Sequence, residues 1–361
     1  MLIILLLELF ECLWSVSDLL IKPRMLPCDK IFEKEASCGK FDKEAYLATK
    51  KTNFRLHSDY GYTISCELLE PAAKPEAGHE VSSEAESGAE PEVNSEPEPE
   101  AESEVNSESE SEAESEDGSE SAPDFRSEVM TAQSGSSAED RAVRAAVLVH
   151  GLGFSRYACL KFAEIYLKLG FKVVIFDQRY HGLSGGRCTT MGYYEKYDLK
   201  KVIDWCFRHF GKDCKIVTHG ESMGAATVLL HLGIDTRVKC AIADCAYSDL
   251  TRLLKHQMKQ YYHLPGFLIP AGSFLTFIRT GFWYKDVSPI NAVRETDTPV
   301  MFIHGKRDNF VPVDMSKQMY AARKKNKAIY LVAGARHSES CCKNRIGYTQ
   351  RVEAFLKRYI K

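Results

Sequence analysis

The chain has 361 residues, 44% apolar and 27% charged, which suits a globular protein with one large domain or two smaller ones. Its net charge of −3 hides a segregation: residues 75–140 hold 22 acids and one base, Arg126, while the remainder holds 46 bases and 28 acids, a net of +18. No basic stripe interleaved with aromatics accompanies that positive body, which excludes a recognisable nucleic-acid module. Anionic lipid is the better partner for diffuse positive charge beside an apolar N-terminus. Twelve cysteines contain no C-x-x-C, and the adjacent Cys341-Cys342 suit neither a zinc site nor an easy disulfide. Reduced, buried cysteines and a reducing compartment follow.

Residues 1–21, MLIILLLELFECLWSVSDLLI, are apolar over about the length that spans a bilayer. Glu8, Glu11 and Asp18 interrupt the run, and there is neither a basic n-region nor a small-residue cleavage site, so a signal peptide is not expected. A membrane-associating segment is favoured over a helix that docks on the domain. Lys22, Arg24 and Lys30 follow it, which by the positive-inside rule puts the rest of the chain on the cytoplasmic side.

Residues 22–52 read as a helical lead-in. Two β-rich runs around Asp59-Tyr60-Gly61 then read as a hairpin over 53–74. From 75 to 141 large apolar residues almost vanish, and EVNSEPEPEAES (Glu92 to Ser103) recurs as EVNSESESEAES (Glu104 to Ser115). Neither copy has a face to bury, so the segment is expected to be a disordered acidic insertion and not a solenoid.

Over 142–361 strand-like runs alternate with amphipathic helical stretches. The strands are AAVLVHG, KVVIFDQR, CKIVTHGES, VKCAIADCA, TPVMFIHGKRD and KAIYLVAGARH. Near-continuous apolar strands separated by helices imply a mostly parallel α/β sheet covered on both faces. Functional residues should then gather at the carboxyl ends of those strands.

The run HGESMGAA holds G-x-S-x-G where a strand hands over to a helix. This pattern is a nucleophile elbow, in which glycines let strand and helix approach and the serine, here Ser222, sits on a strained turn. Serine needs a base, and the base an orienting carboxylate. Asp308, in HGKRDNFVP, and His337, in GARHSES, stand beyond the ends of two later strands, in the order serine, acid, histidine. His150, His219 and His304 precede glycines at strand ends, where bonding to loop backbone is the common role, and His181 reads as structural too. Asp244, at the end of ADCA, is the rival acid. The oxyanion needs two backbone donors, and Met223 together with Leu152 of HGLGFSR are the candidates.

Together HGLGFSR, DQRYHGLSGG, HGESMGAA, HGKRDNFVP and GARH resemble the α/β-hydrolase superfamily, most nearly its bacterial membrane-anchored esterases, lipases and serine aminopeptidases. The resemblance spans about 53–361 outside the acidic insertion, and also the apolar N-terminus. It implies Ser222 as nucleophile, His337 as base and Asp308 as orienting acid, with no metal or organic cofactor. Residues 247–297, rich in Phe, Leu and Ile, occupy the position of the cap. An apolar cap suits a hydrophobic ester or acyl substrate, and the same side chains would equally serve to pack the cap on the core. Esterase, aminopeptidase or amidase, thioesterase and a non-catalytic binding protein all remain open, and no residue pattern speaks to the oligomeric state.

Overall fold

In the computed structural model residues 11, 14, 15, 17, 18, 20–72 and 142–360 are described. By internal contacts the chain divides into two units, residues 1–73 with 137–361, and residues 74–136. All described residues belong to the first, and the acidic insertion expected over 75–141 lies outside them.

Eight strands form one sheet: β1 Lys50–His57, β2 Thr63–Glu70, β3 Arg144–Val149, β4 Lys172–Phe176, β5 Lys215–Glu221, β6 Cys240–Asp244, β7 Val300–Gly305 and β8 Lys327–Val332. Their spatial order is β1-β2-β4-β3-β5-β6-β7-β8. The β1–β2 hairpin is antiparallel and pairs antiparallel with β4. From β4 to β8 every neighbouring pair is parallel. The expected α/β sheet, mostly parallel with an N-terminal hairpin at one edge, is the one that forms.

Both faces of the parallel part are covered because strands such as β3 and β4 are apolar at successive positions, and successive side chains point to opposite faces. On β3, Ala146 and Leu148 join one core cluster, with Phe162 and Tyr166 of α3 (Leu160–Lys168) and Val352 of α11 (Arg345–Tyr359). Ala145, Val147 and Val149 join the other, with Val202 of α4 (Glu195–Phe210) and Val228 of α5 (Met223–Leu232). The lead-in holds two short helices, α1 Cys28–Ser37 and α2 Lys43–Ala48; the second is capped by Asp42, which accepts from the Ala45 amide. Between β6 and β7 the chain makes α6 (Leu250–Gln257), a π-turn (Met258–Tyr262), α7 (Leu268–Thr280) and α8 (Pro289–Glu295). Past β7 come α9 (Asp314–Ala322) and, after β8, the single turn α10 (Ser340–Lys343).

The N-terminus departs from the reading of a membrane-attached protein with its hydrolase domain on the cytoplasmic side. No helix among the described residues is long and apolar enough to cross a membrane. Ser17, Asp18, Leu20 and Ile21 pack on the protein instead. Leu20 and Ile21 are buried in a third apolar cluster with Met223, Leu230, Ile269 and Tyr284. Ser17 Oγ lies 3.1 Å from Thr276 Oγ1, and Asp18 forms an ion pair with Arg279, both on α7. Leu20 and Ile21 thus meet protein, and Asp18, one of the acids that make a span costly, has a cationic partner. Residues 1–10, 12, 13, 16 and 19 lie outside the described set. All eleven described cysteines are free.

Candidate active site

Ser222 sits between β5 and α5 with φ 56° and ψ −118°, a sparsely populated region that costs about 1–3 kcal/mol and persists only where the surroundings impose it. The two flanking glycines show what imposes it. A Cβ on Gly224 would lie 2.1 Å from the Val149 carbonyl oxygen, and one on Gly220 would lie 2.3 Å from that of Gly224. Only hydrogen fits at either position. The turn is pinned below by the Ser222 amide, which donates to the Asp244 carbonyl at 2.8 Å. Beside it Glu221 pairs with Lys161 at 2.5 Å, both buried, and an ion pair removed from water holds its place only with such close geometry.

Three loops at the carboxyl ends of β5, β7 and β8 bring together the three side chains singled out by their motifs. Ser222 Oγ stands 2.9 Å from His337 Nε2 and donates to it, while His337 Nδ1 donates to Asp308 Oδ2 at 2.7 Å. Asp308 is buried, and its Oδ1 accepts from the amides of Phe310 and Val311, at 2.9 Å each. Its Oδ2 also lies 3.2 Å from His304 Nε2. Burial works against the charged carboxylate, but hydrogen bonding by His304 and His337 outweighs it and holds the group at about 2. For His337 burial favours the neutral ring, whereas the Cys245 sulfur and the Asp308 carboxylate pull the other way; its pKa lies above the ordinary histidine value. The thiol of Cys245 is itself pushed up by burial, so the carboxylate is the charge that matters at neutral pH.

The rival acid has other work. Asp244 Oδ2 accepts from the Tyr348 hydroxyl at 3.1 Å, and burial pushes its carboxyl up to about 7. His150, His181 and His219 are each held in a buried hydrogen-bonded network. His150 bonds the Gly151 carbonyl and the Gln178 amide, and His181 bonds the Arg179 carbonyl and the Gly153 amide. His219 differs from the expected backbone role, since its ring lies between the hydroxyls of Tyr166 and Tyr348. Burial lowers the pKa of His150 and of His181 to about 4, and of His219 to about 3. His304, expected to bond loop backbone, does so through Val311 O and also buttresses Asp308. Its place four residues before Asp308 was the available signal. Cys245 had none: it meets His337 only because β6 and the loop after β8 converge. Among the described residues, Cys245, Asp308 and His337 are also the one group whose donor atoms lie close enough to share a metal ion, within 4.8 Å of one another.

Leu152 and Met223, the two candidate oxyanion donors, line the same cavity as Ser222. It measures about 380 Å³ and is walled by the 247–297 segment through Leu253, Met258, Leu268 and Ile269. No described residue lining it is charged.

This arrangement agrees with comparisons to known proteins. The sequence profile described as "Prolyl oligopeptidase family" matches residues 165–361, more than half of the chain. The chain belongs to the prolyl oligopeptidase family. Within that family's α/β-hydrolase fold, the matched span contains Ser222, Asp308 and His337. A relative in Bacillus subtilis, the uncharacterized protein YqkD, is 35% identical over 213 residues, which cover 58% of this chain and 70% of that one. The Pyrococcus furiosus esterase Pf2001 superposes with a TM-score of 0.58 at 19% identity, over 89% of this chain and 96% of the esterase. Pyrococcus horikoshii acylaminoacyl peptidase does so with a TM-score of 0.53 at 14% identity, over 89% of this chain and 44% of the peptidase. What these two share with this prolyl oligopeptidase family member is the α/β-hydrolase fold.

Proposed function

We propose that the chain is a serine hydrolase that cleaves carboxylic esters with a hydrophobic acyl group. The observation that carries this reading is the continuous pair of short hydrogen bonds from Ser222 through His337 to Asp308, opening on an uncharged apolar cavity. In the reaction Ser222 Oγ attacks the ester carbonyl while His337 Nε2 takes its proton, and the amides of Met223 and Leu152 receive the developing oxyanion. The tetrahedral intermediate collapses to an acyl-enzyme as His337 returns the proton to the departing alkoxide. Water then enters and attacks the acyl carbonyl as His337 Nε2 takes its proton. The second tetrahedral intermediate expels Ser222 Oγ, which recovers that proton from His337, releasing the acid. Asp308 keeps Nδ1 protonated and stabilises the imidazolium through both halves.

Ester is favoured over a free-amine peptide by the cavity lining, which offers no carboxylate to an N-terminal ammonium. Amide cleavage is the second reading, suggested by the family's name and by the likeness to an acylaminoacyl peptidase. A blocked N-terminus carries no charge and would suit the same apolar lining. Turnover should therefore be compared on p-nitrophenyl esters of rising chain length, aminoacyl p-nitroanilides and N-acylaminoacyl p-nitroanilides. The ester series should be hydrolysed best, with a preference for chains longer than acetyl. Turnover of a nitroanilide series alone would replace the ester reading with the amide one.

A further inference from the structure

The N-terminal segment is part of the cavity wall. Leu20 lines the cavity with Leu152 and Met223 on the side of the nucleophile and with Ile269 and Tyr284 on the side of the cap. On the cap side, Ser17 Oγ reaches Thr276 Oγ1 at 3.1 Å, and Thr276 Oγ1 reaches the Tyr284 hydroxyl at 2.9 Å. Asp18 pairs with Arg279, whose guanidinium carbon stands 4.1 Å from the centre of the Trp14 ring. On the core side, the Ile21 carbonyl accepts from the Thr189 amide at 2.8 Å. Further on, the Arg24 carbonyl lies 3.7 Å from where a Cβ on Gly153 would sit, so the chain runs beside the loop after β3.

We propose that Leu20 determines the length of acyl chain the cavity accepts, and that the segment from Ser17 to Arg24 is a strap fixing that wall between cap and core. This rests on the reading of the cavity as an acyl site. Leu20 is buried, with 7% of its surface exposed, and the groups around it are apolar, so its volume competes directly with substrate carbons. Burial of one methylene changes affinity by about fourfold. Leu20→Ala removes three carbons and frees room for about three methylenes, whereas Leu20→Trp fills space an acyl chain would use. Arg279→Met removes the strap's ionic anchor while leaving Leu20 in place.

The full-length protein is to be tested in two arms. One is turnover of p-nitrophenyl esters from acetate to palmitate. The other, in a Ser222→Ala background, is affinity for saturated fatty acids of rising length, read by displacement of a fluorescent fatty acid. Leu20→Ala should move the preferred length up by about two to three carbons in both arms, with about a fourfold gain per added methylene. Leu20→Trp should move it down, Arg279→Met should broaden it, and Leu20→Met, which conserves volume, should keep the wild-type profile. An unshifted binding profile in Leu20→Ala and Leu20→Trp overturns the proposal, as does a wild-type protein that binds no fatty acid. A shifted binding profile without ester turnover overturns the ester reading and leaves the strap standing. Ester turnover with both profiles unmoved does the reverse.

Discussion

Replacing Gly224 with alanine would place a methyl group where the backbone already is. Its Cβ would lie 2.1 Å from the Val149 carbonyl oxygen and 2.5 Å from that of His150. A carbon and a carbonyl oxygen rest at about 3.3–3.6 Å, so α5 or the end of β3 must retreat by roughly 1 Å. Neither neighbour is a flexible side-chain tip, and the cost belongs at the upper end of overpacking, about 3 kcal/mol. For a domain of this order of size that lowers the melting temperature by roughly 6–12 °C. The same movement carries Ser222, at the start of α5, away from His337, and a misplacement of about 1 Å can cost about 10²-fold in turnover. Thermal unfolding by circular dichroism and hydrolysis of a p-nitrophenyl ester measure the two effects. Gly266→Ala is the control, because a Cβ there meets nothing within 4 Å. Wild-type melting and turnover in Gly224→Ala would refute the claim that close backbone approach builds the elbow.

Asp308→Asn should reduce kcat by up to about 10⁴-fold, because an amide at this position favours the wrong imidazole tautomer. Asp244→Asn should cost less than about tenfold by the same assay, since its carboxyl titrates near 7 and bonds Tyr348; a reversal of the two would move the orienting acid to β6. The base must be neutral to accept a proton and its pKa is raised, so kcat/KM should fall on acidification with a midpoint above the ordinary histidine value. In Asp308→Asn that midpoint should move to lower pH, and a limb unmoved by the substitution would contradict the Asp308–His337 coupling.

The motifs of the candidate site are local, and so could be read along the sequence. G-x-S-x-G reports a steric demand within five residues, and the strands announce themselves by unbroken apolar runs such as AAVLV and VVIF. Asp308 and His337 followed because the fold delivers strand ends to one side. Partners joined only by tertiary structure left no such mark. Lys161 meets Glu221 across 60 residues, and Ser17 meets Thr276 across 259. The N-terminus shows the physical limit most clearly. Leu20 and Ile21 have the same hydropathy whether they face lipid or the underside of a cap, and only the three-dimensional neighbours distinguish the two. The acids that interrupt the run were the local sign, and one of them, Asp18, has its counterion, Arg279, on α7.

The most direct test of the proposed chemistry is covalent labelling with a fluorophosphonate probe, read by intact mass and by mapping the modified peptide. An activated serine is required for the reaction, because an ordinary hydroxyl is a poor nucleophile at neutral pH. One adduct per chain should form on Ser222, and Ser222→Ala should fold normally and take no label. A folded wild-type protein that stays unlabelled, or carries the adduct on another residue, would contradict the assignment.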